Sequence, residues 1–423
     1  MFAYSTAFGV TLHNLAVPSP PAATRLVHTR FILMVVTLAC GAAASDRPRA
    51  LTDSTAISPN TVVGVSIREQ THLGTPEPRL TVPAGYRATI FAIVPKARFM
   101  VLGPDGAVYV SQPGRGRSGG QITRLTDTHG DGRAEMRVAV SGLYMPHGMA
   151  FHHGAFYIAN TDGVVRTTLD AAGRAIGKPV YLNHYPADGM HFTRTIIFDP
   201  DGKMYVSAGS DCNVCVEKDR ERAAVMQYDA DGSHGRVFAS GLRNAVGLAV
   251  NPQTKAIWAT QNERDELQPN HEDLPPDEIN ILRDGGDYGW PYCWGGRIPN
   301  PEFNDASRCT KTIPPALSIQ AHSAVLGITF LDKATQLPAN MRGDALVALH
   351  GSWDRTVPTG AKVIRIRITD GKPVSAEDFV TGWQRPDGSR WGRPVDVLVD
   401  KDGSILISDD LSGEIVRISR SAP

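Results

Sequence analysis

The stretch at residues 190–213, MHFTRTIIFDPDGKMYVSAGSDCN, decides the fold. An apolar segment at 195–198 leads into the turn DPDG at 199–202, and a second segment with alternating apolar residues follows at 203–207. In such a turn proline presets φ and glycine supplies positive φ. The stretch therefore predicts two antiparallel strands joined by a tight turn. A histidine, His191, stands just before the first strand.

The same unit recurs along the chain. Related segments start near residues 99, 148, 246, 328 and 395, and most precede a third strand-like segment. A repeat of about 50 residues with about four strands is typical of a β-propeller blade. We therefore predict an all-β fold, a six-bladed β-propeller over residues 79–421, in which a strand at 86–93 closes the ring against the last blade. A pair of β-sandwiches is the alternative, which six similar units disfavour.

The bulk composition narrows the class of protein. The 423 residues include 43 Lys and Arg against 43 Asp and Glu, so the formal net charge is zero. Because phosphate binding needs a concentrated positive field, we do not expect a nucleic-acid partner. The 41 glycines and 30 prolines suit a chain of many short strands and turns.

The N-terminal region resembles a targeting segment. Basic residues precede an apolar run at 31–39, and AAA at 42–44 offers a cleavage site before Ser45. The run is too short for a stable transmembrane segment, which takes about 20 residues. We predict a signal peptide at 1–44, a polar linker at 45–78 and a periplasmic or secreted location. A lipoprotein anchor at Cys40 is the alternative, which Thr37 disfavours.

Four cysteines remain in the predicted mature chain: Cys212, Cys215, Cys293 and Cys309. An even number in an oxidising compartment favours disulfides. The C-x-x-C pair lacks the following histidine that haem attachment requires, and a metal site would need more ligands. We predict two local disulfides, Cys212–Cys215 and Cys293–Cys309.

The candidate site residues stand at the edges of the repeats, where propeller loops converge at the end of the central channel. His191 precedes the inner strand of its blade, and an ordinary pKa of about 6.5 suits a general base. Arg243 and Asn244 hold the same place in the next blade, where arginine suits an anionic ligand or a developing oxyanion. The structural alternatives are a hydrogen-bonding loop histidine and an arginine that ties two blades together.

Further candidates stand at the same edge of other blades. Asn262 and Glu263 open an oxygen-rich stretch that favours a hard cation such as Ca²⁺, and a solvated acidic loop is the alternative. The last two blades supply aromatic and basic side chains suited to stacking on a flat ligand and pairing with carboxylates: His350, Trp353, Arg355, Trp391 and Arg393. The tryptophans would equally serve to cover apolar surface. Together these residues favour a planar polyanion as the ligand.

Three motifs in combination resemble a known family: HFTRTIIFDPDGKMYVS from 191, GLRNAVGLA from 241 and DEINILRDGGDYGWP from 277. They are similar to those of the PQQ-dependent sugar dehydrogenases of the soluble glucose dehydrogenase and L-sorbosone dehydrogenase type. The resemblance covers nearly the whole predicted mature chain, and GSDCNVC, HGSW and GRPVDV look closer to the sorbosone branch. It implies a propeller that binds pyrroloquinoline quinone (PQQ) and Ca²⁺.

The resemblance also implies roles for individual residues. His191 matches the base that takes the hydroxyl proton of the sugar while hydride passes to the quinone. Arg243 and Asn244 match the pair beside the quinone oxygens, with Arg243 also counted as catalytic. Main-chain carbonyls near Asn262 and Glu263 match the Ca²⁺ site.

Arg393 matches a basic residue that holds a PQQ carboxylate. The chain departs from the glucose dehydrogenase branch where HGSWDR at 350–355 replaces a loop that carries a lysine, so Arg355 or His350 would take over the task of that lysine. It also departs where Asn262 and Glu263 replace Gly-Pro.

The resulting expectation is a PQQ- and Ca²⁺-dependent dehydrogenase of an aldose or sugar aldehyde, sorbosone-like in type. Its electrons would pass to an external acceptor, a cytochrome or a quinone. One alternative is a Ca²⁺-dependent propeller hydrolase of the lactonase type, which the excess of arginines over channel carboxylates disfavours. The other alternative is a propeller that binds a ligand without catalysis.

Overall fold

The computed structural model describes residues 64–66 and 79–421. Within this part, six antiparallel sheets form blades 1 to 6. Blade 1 consists of Met100–Leu102, Val108–Gln112, Gly120–Thr126 and Glu135–Leu143. Blade 2 consists of Met149–His152, Ala155–Asn160, Gly163–Thr167 and Val180–Tyr181. Blade 3 consists of Arg194–Phe198, Met204–Ala208, Ala224–Tyr228 and Arg236–Ser240. Blade 4 consists of Ala245–Val250, Ile257–Gln261, Asp277–Ile281 and Leu317–Ile319. Blade 5 consists of Val325–Phe330, Ala345–Leu349, Lys362–Thr369 and Lys372–Val380. Blade 6 consists of Pro394–Val399, Ile405–Asp409, Glu414–Arg420 and Tyr86–Ile93.

Short elements decorate the blades. Gly286–Asp287 pairs in parallel with the outer strand of blade 3. Two small antiparallel pairs join Gly64–Ser66 to Arg79–Thr81 and Cys293–Trp294 to Ile298–Pro299. The remaining described elements are the four-residue helix Ala306–Cys309 and the 3₁₀ turn Ala339–Met341. No helix in the described ranges is long and apolar enough to cross a membrane.

The turn that joins the first two strands of blade 3 shows why the sequence folds this way locally. The Asp199 carboxylate accepts hydrogen bonds from the backbone N–H groups of Asp201 and Lys203. Gly202 adopts a φ of 81°, which a residue without Cβ reaches at little cost. The strand register then pairs Phe198 with Met204, as the DPDG turn predicts.

The first strands of neighbouring blades contact one another around the full ring, so they line the central channel. Close packing there depends on glycine. A Cβ added at Gly247 would lie 2.2 Å from the carbonyl oxygen of Leu326 in the next blade. Apolar clusters between successive blades form the core, with Trp258 and Trp383 among the largest fully buried side chains.

The structure confirms the predicted six-bladed propeller. The strand Tyr86–Ile93 pairs with Glu414–Arg420, so the ring closes as expected. Both predicted disulfides form, Cys212–Cys215 and Cys293–Cys309. The predicted signal peptide and Cys40 lie outside the described residues, and the strand Gly64–Ser66 falls within the predicted linker.

Candidate active site

The candidate residues meet at one end of the channel because of how antiparallel strands run. In every blade the first strand begins, and the second strand ends, at the same end of the propeller. His191, Asn244 and Arg393 come shortly before first strands, whereas Asn262 and His350 directly follow second strands. We call this end the channel mouth.

His191 is held by one neighbouring loop. Its Nδ1 lies 2.9 Å from the carbonyl oxygen of Ser210 and 3.0 Å from the Oγ of the same serine. Because a carbonyl oxygen only accepts, Nδ1 carries the hydrogen and Nε2 carries the lone pair in the neutral ring. Burial, and then the positive charge of Arg243, lower the pKa of His191 to about 3. The imidazole is therefore neutral at ordinary pH and able to accept a proton at Nε2.

Arg243 is a buried guanidinium that binds the loops around it. Its Nη1 donates to the carbonyl oxygen of Glu263 at 2.6 Å, and its Nη2 donates to Oδ1 of Asn213 at 3.0 Å. Nη2 also pairs with the Asp265 carboxylate at 3.1 Å. The arginine thus ties the His191 side of the mouth to the loop after the second strand of blade 4.

Asn244 lies against the same backbone as His191. A Cβ added at Gly209 would lie 2.6 Å from Oδ1 of Asn244 and 2.6 Å from Cβ of His191. Within the described part of the chain, Oδ1 of Asn244 is buried without a hydrogen-bond partner. A buried polar atom without a partner is costly, so this amide is available to a ligand.

Asn262 and Glu263 turn their main-chain carbonyls toward one point. Arg243 Nη1 lies 3.4 Å from the Asn262 oxygen and 2.6 Å from the Glu263 oxygen, so a cation already faces both groups. The Asn262 side chain donates to the carbonyl oxygen of Val325. The Glu263 carboxylate is buried and accepts hydrogen bonds from the Gln261 side chain and from the backbone N–H of Arg264.

An ionic network forms the opposite side of the mouth, between blades 5, 6 and 1. The Asp410 carboxylate binds His350 Nε2 at 2.9 Å and Arg98 Nη1 at 2.6 Å. Arg98 Nη2 also lies 3.3 Å from Nε2 of His147. Burial lowers the pKa of His350 to about 4, although Asp410 opposes the shift. Arg393 donates from Nε to the His350 carbonyl oxygen, and its two terminal nitrogens have no hydrogen-bond partner among the described residues.

The remaining predicted residues lie further out. Trp353 is 71% exposed and lines a cavity of about 440 Å³ beside the mouth. Arg355 pairs with Asp273 at 3.1 Å. Trp391 packs on Trp383 with ring centroids 6.1 Å apart and donates its Nε1 to a backbone carbonyl. These contacts give Arg355 and Trp391 protein partners in the described chain.

The structure also brings in residues that sequence reasoning missed. Arg98 precedes a first strand and Asp410 follows a second strand, so the repeat position that selected Arg243 would also have selected them. His322 stands three residues before the first strand of blade 5, as His191 does in blade 3, so the same repeat position would have selected it. Asn213 lies in the disulfide loop, within the motif GSDCNVC, but the motif gave no role to that residue.

The chemistry of the mouth suits a flat anion next to a neutral base. Arg393 and Arg98 supply positive charge on one side, and Arg243 supplies it on the other. Unpaired donors on Arg393 and the unpaired amide of Asn244 are the groups that a polar ligand would satisfy. Nε2 of His191 carries a lone pair that is able to accept a proton.

Comparisons with known proteins identify the family and the fold. The sequence model of a family described as TrAA12-like matches residues 80–421. An uncharacterised protein of Borreliella burgdorferi is 29% identical over 358 residues, which covers 80% of this chain and 90% of the relative. A pyrroloquinoline quinone-dependent pyranose dehydrogenase of Coprinopsis cinerea is 24% identical over 82% of this chain, and the match spans only 56% of the length of that relative. The calcium structure of a Trichoderma reesei carbohydrate-active enzyme of family AA12 shares the fold with a TM-score of 0.71 at 22% identity, covering 83% of this chain and all of the other. The chain therefore belongs to the TrAA12-like family.

Proposed function

We propose that this chain is a dehydrogenase that oxidises an aldose or sugar aldehyde with PQQ and Ca²⁺ and passes the electrons to an external acceptor. The observation that carries the proposal is the neutral His191 imidazole, with Nε2 as its proton acceptor, beside Arg243 and Asn244 at the channel mouth. Family membership and the likeness to a PQQ-dependent pyranose dehydrogenase support the choice of cofactor and substrate class.

The residues at the mouth fit a planar polyanionic cofactor. Arg393, with its free terminal nitrogens, would hold a PQQ carboxylate, and Arg98 would add positive charge nearby. Arg243 and Asn244 would hold the quinone edge by donating N–H groups to its oxygens, which only accept. When bound, PQQ supplies the hydride acceptor of the reaction.

The proposed Ca²⁺ site uses the main-chain carbonyls of Asn262 and Glu263. Two oxygens that converge on one point are suitable donors for a hard cation. Both accept hydrogen bonds from Arg243, so calcium ligation requires that Arg243 gives up those bonds. Calcium binding is thus expected to depend on what else binds Arg243.

The protein's own part in the reaction is to position the sugar and to take its proton. Nε2 of His191 accepts the hydroxyl proton from the reacting carbon as the hydride leaves. The Nδ1–H···O=C bond to Ser210 fixes the ring and stabilises the imidazolium that results. Burial, and then the positive charge of Arg243, lower the pKa of His191 and keep the imidazole neutral beforehand.

The test uses the full chain after treatment with a chelator. PQQ is titrated with and without Ca²⁺ and followed by absorbance, and a panel of aldoses and sugar aldehydes is then screened with an artificial dye. We expect Ca²⁺-dependent PQQ binding and dye reduction, with weaker PQQ binding in Arg393→Gln. Absence of both PQQ binding and dye reduction would refute the proposal, and lactone hydrolysis with Ca²⁺ alone would favour the hydrolase alternative.

A further inference from the structure

Three loops next to the proposed cofactor site bring a histidine and two carboxylates together. Asp265 follows the second strand of blade 4, His322 precedes the first strand of blade 5, and Asp354 follows the second strand of blade 5. One ligand atom from each residue lies within 4.8 Å of the other two. Nδ1 of His322 is 3.6 Å from Oδ1 of Asp265 and 3.6 Å from Oδ2 of Asp354.

These separations are too long for hydrogen bonds but suit an ion between the groups. A hydrogen bond from nitrogen to oxygen spans about 2.7–3.2 Å. A tetrahedral ion with metal–ligand distances of about 2.0–2.2 Å holds its ligand atoms roughly 3.3–3.6 Å apart. The observed 3.6 Å falls at the upper end of that span, so an ion would need only small side-chain shifts.

The histidine is oriented for ligation. Nε2 of His322 lies 2.6 Å from the carbonyl oxygen of His271, which can only accept a hydrogen bond. Nε2 therefore carries the hydrogen, and Nδ1 presents its lone pair to the two carboxylates. A backbone carbonyl behind the non-ligating nitrogen is the usual support for a metal-bound histidine.

Asp354 supplies an independent sign that something is needed here. Its side chain is only 9% exposed, and both carboxylate oxygens are buried without a hydrogen-bond partner among the described residues. A buried charge without a partner is strongly unfavourable.

The geometry points to a divalent metal site formed by His322, Asp265 and Asp354. One imidazole nitrogen with two carboxylates suits a transition metal ion such as Zn²⁺ or Mn²⁺ rather than Ca²⁺, whose ligands are oxygens. Asp354 also lines the cavity of about 440 Å³ beside the mouth. The ion keeps an open position toward that cavity, where water or an oxygen of a ligand binds.

This donor set differs from the proposed calcium ligands, which are the carbonyls of Asn262 and Glu263. The two sites communicate through Asp265, whose Oδ2 pairs with Arg243 while its Oδ1 faces His322. The metal also joins the loops that carry Asp265 and Trp353, so it fixes one wall of the cavity. The inference rests on side chains of this cluster and does not depend on PQQ or a sugar.

The test measures metal content and affinity in the full, folded chain without PQQ or Ca²⁺. After removal of metal by a chelator, Zn²⁺ and Mn²⁺ are added separately and followed by calorimetry and elemental analysis. We expect one more bound ion per chain in wild type than in His322→Gln, and affinity lower by more than about tenfold in Asp354→Asn. X-ray absorption of the zinc form should show one imidazole nitrogen that His322→Gln loses.

Asp273→Asn is the matched control, because this exposed carboxylate lies on the same loop as His271 but outside the cluster. It should bind like wild type. Circular dichroism verifies that each variant is folded. Equal Zn²⁺ and Mn²⁺ binding by wild type, His322→Gln and Asp354→Asn would overturn the inference, as would tighter binding of Ca²⁺ than of either transition metal at this cluster.

Discussion

At the scale of single residues, the groups that hydrogen-bond to the His191 ring are uncharged. Its Nδ1 faces the carbonyl and hydroxyl oxygens of Ser210, and Ser210 Oγ in turn donates to the Cys212 carbonyl at 2.6 Å. The ring orientation therefore depends on the disulfide loop that follows the second strand of blade 3. Burial, and then the charge of Arg243, lower the pKa of His191, so the base stays weak and uncharged.

The first prediction concerns removal of that base. His191→Ala should lower kcat by about 10²–10⁴-fold, the usual contribution of a general base. PQQ affinity should change far less, because the arginines and Asn244 remain. Dye-reduction kinetics and PQQ titration provide the two measurements. His234→Ala is the control, since this exposed histidine lies in a loop at the opposite end of blade 3. Equal losses in both variants would contradict the role of His191.

The second prediction concerns pH. His191 must be neutral to accept a proton, and its pKa is lowered to about 3 by burial and then by Arg243. Activity should therefore persist below the ordinary histidine pKa of about 6.5 and fall only as the pH approaches the lowered value. The test is to determine kcat/KM from initial rates at several pH values between pH 7 and pH 4. Folding is monitored at each pH. An acid limb centred near pH 6.5 would show that the base is exposed or is another group.

Sequence reasoning at the residue scale succeeded where the position of a residue within the repeat indicated at which end of the channel it lies. His191, Arg243, Asn244 and Arg393 were placed at one end of the channel because each flanks an inner strand, and the structure brings them there. Contacts made by long side chains could not be predicted this way. Arg355 binds Asp273 of the acidic loop, and its sequence position gives no hint of that contact.

At the scale of elements, the inner strands are fitted together by glycines. Gly247 lies where Thr260 Oγ1 accepts from its N–H at 2.8 Å and donates to the Leu326 carbonyl at 2.7 Å. The same closeness recurs at Gly148 and Gly327, where an added Cβ would lie within 2.6 Å or less of a neighbouring blade. One small residue per inner strand thus sets how near two blades approach.

The third prediction follows from that spacing. Gly247→Ala should cost about 1–3 kcal/mol of unfolding free energy or more, because the new methyl group meets backbone atoms that cannot move independently. Urea denaturation measures the change. Thr260→Ala is the companion variant, which removes the bridging hydroxyl without adding a clash and should cost about 1–3 kcal/mol, because two buried backbone groups lose their partner. A Gly247→Ala protein as stable as wild type would show that the blades separate easily at this point.

Strands and turns were predictable because each is encoded locally, by alternation of apolar residues and by turns such as DPDG. The third strand of blade 3 is found at Ala224–Tyr228, as the sequence predicts. The loop between the third and fourth strands of blade 4 is different. Gly286–Asp287 of this loop pairs in parallel with blade 3, and the disulfide Cys293–Cys309 lies further along the same loop. Only the tertiary arrangement determines the parallel pairing.

At the scale of the whole molecule, the channel mouth exists only because the ring is closed. The first and last strands of the propeller, Tyr86–Ile93 and Glu414–Arg420, pair across more than three hundred residues of chain. Arg98 and Asp410 lie next to this seam, so the ionic network with His350 depends on it. The pairing at this seam therefore affects the site as well as the fold.

The final prediction tests that pairing. Deletion of residues 414–423 removes the seam strand, in which Ile415, Val416 and Ile418 are fully buried. Three such side chains contribute about 5–9 kcal/mol by burial. A whole domain is stable by only about 5–15 kcal/mol, so the truncated chain should lose cooperative folding. The exposed edges of the neighbouring strands should also promote aggregation.

Urea denaturation followed by intrinsic fluorescence, with limited proteolysis, provides the measurement. Deletion of residues 422–423 alone is the control, because it leaves every strand of blade 6 intact. It should unfold at the wild-type midpoint with an unchanged slope. If the 414–423 deletion also unfolds cooperatively near that midpoint, the other five blades hold their arrangement without the seam. Closure would then matter for the mouth at Arg98 and Asp410 but not for the stability of the ring.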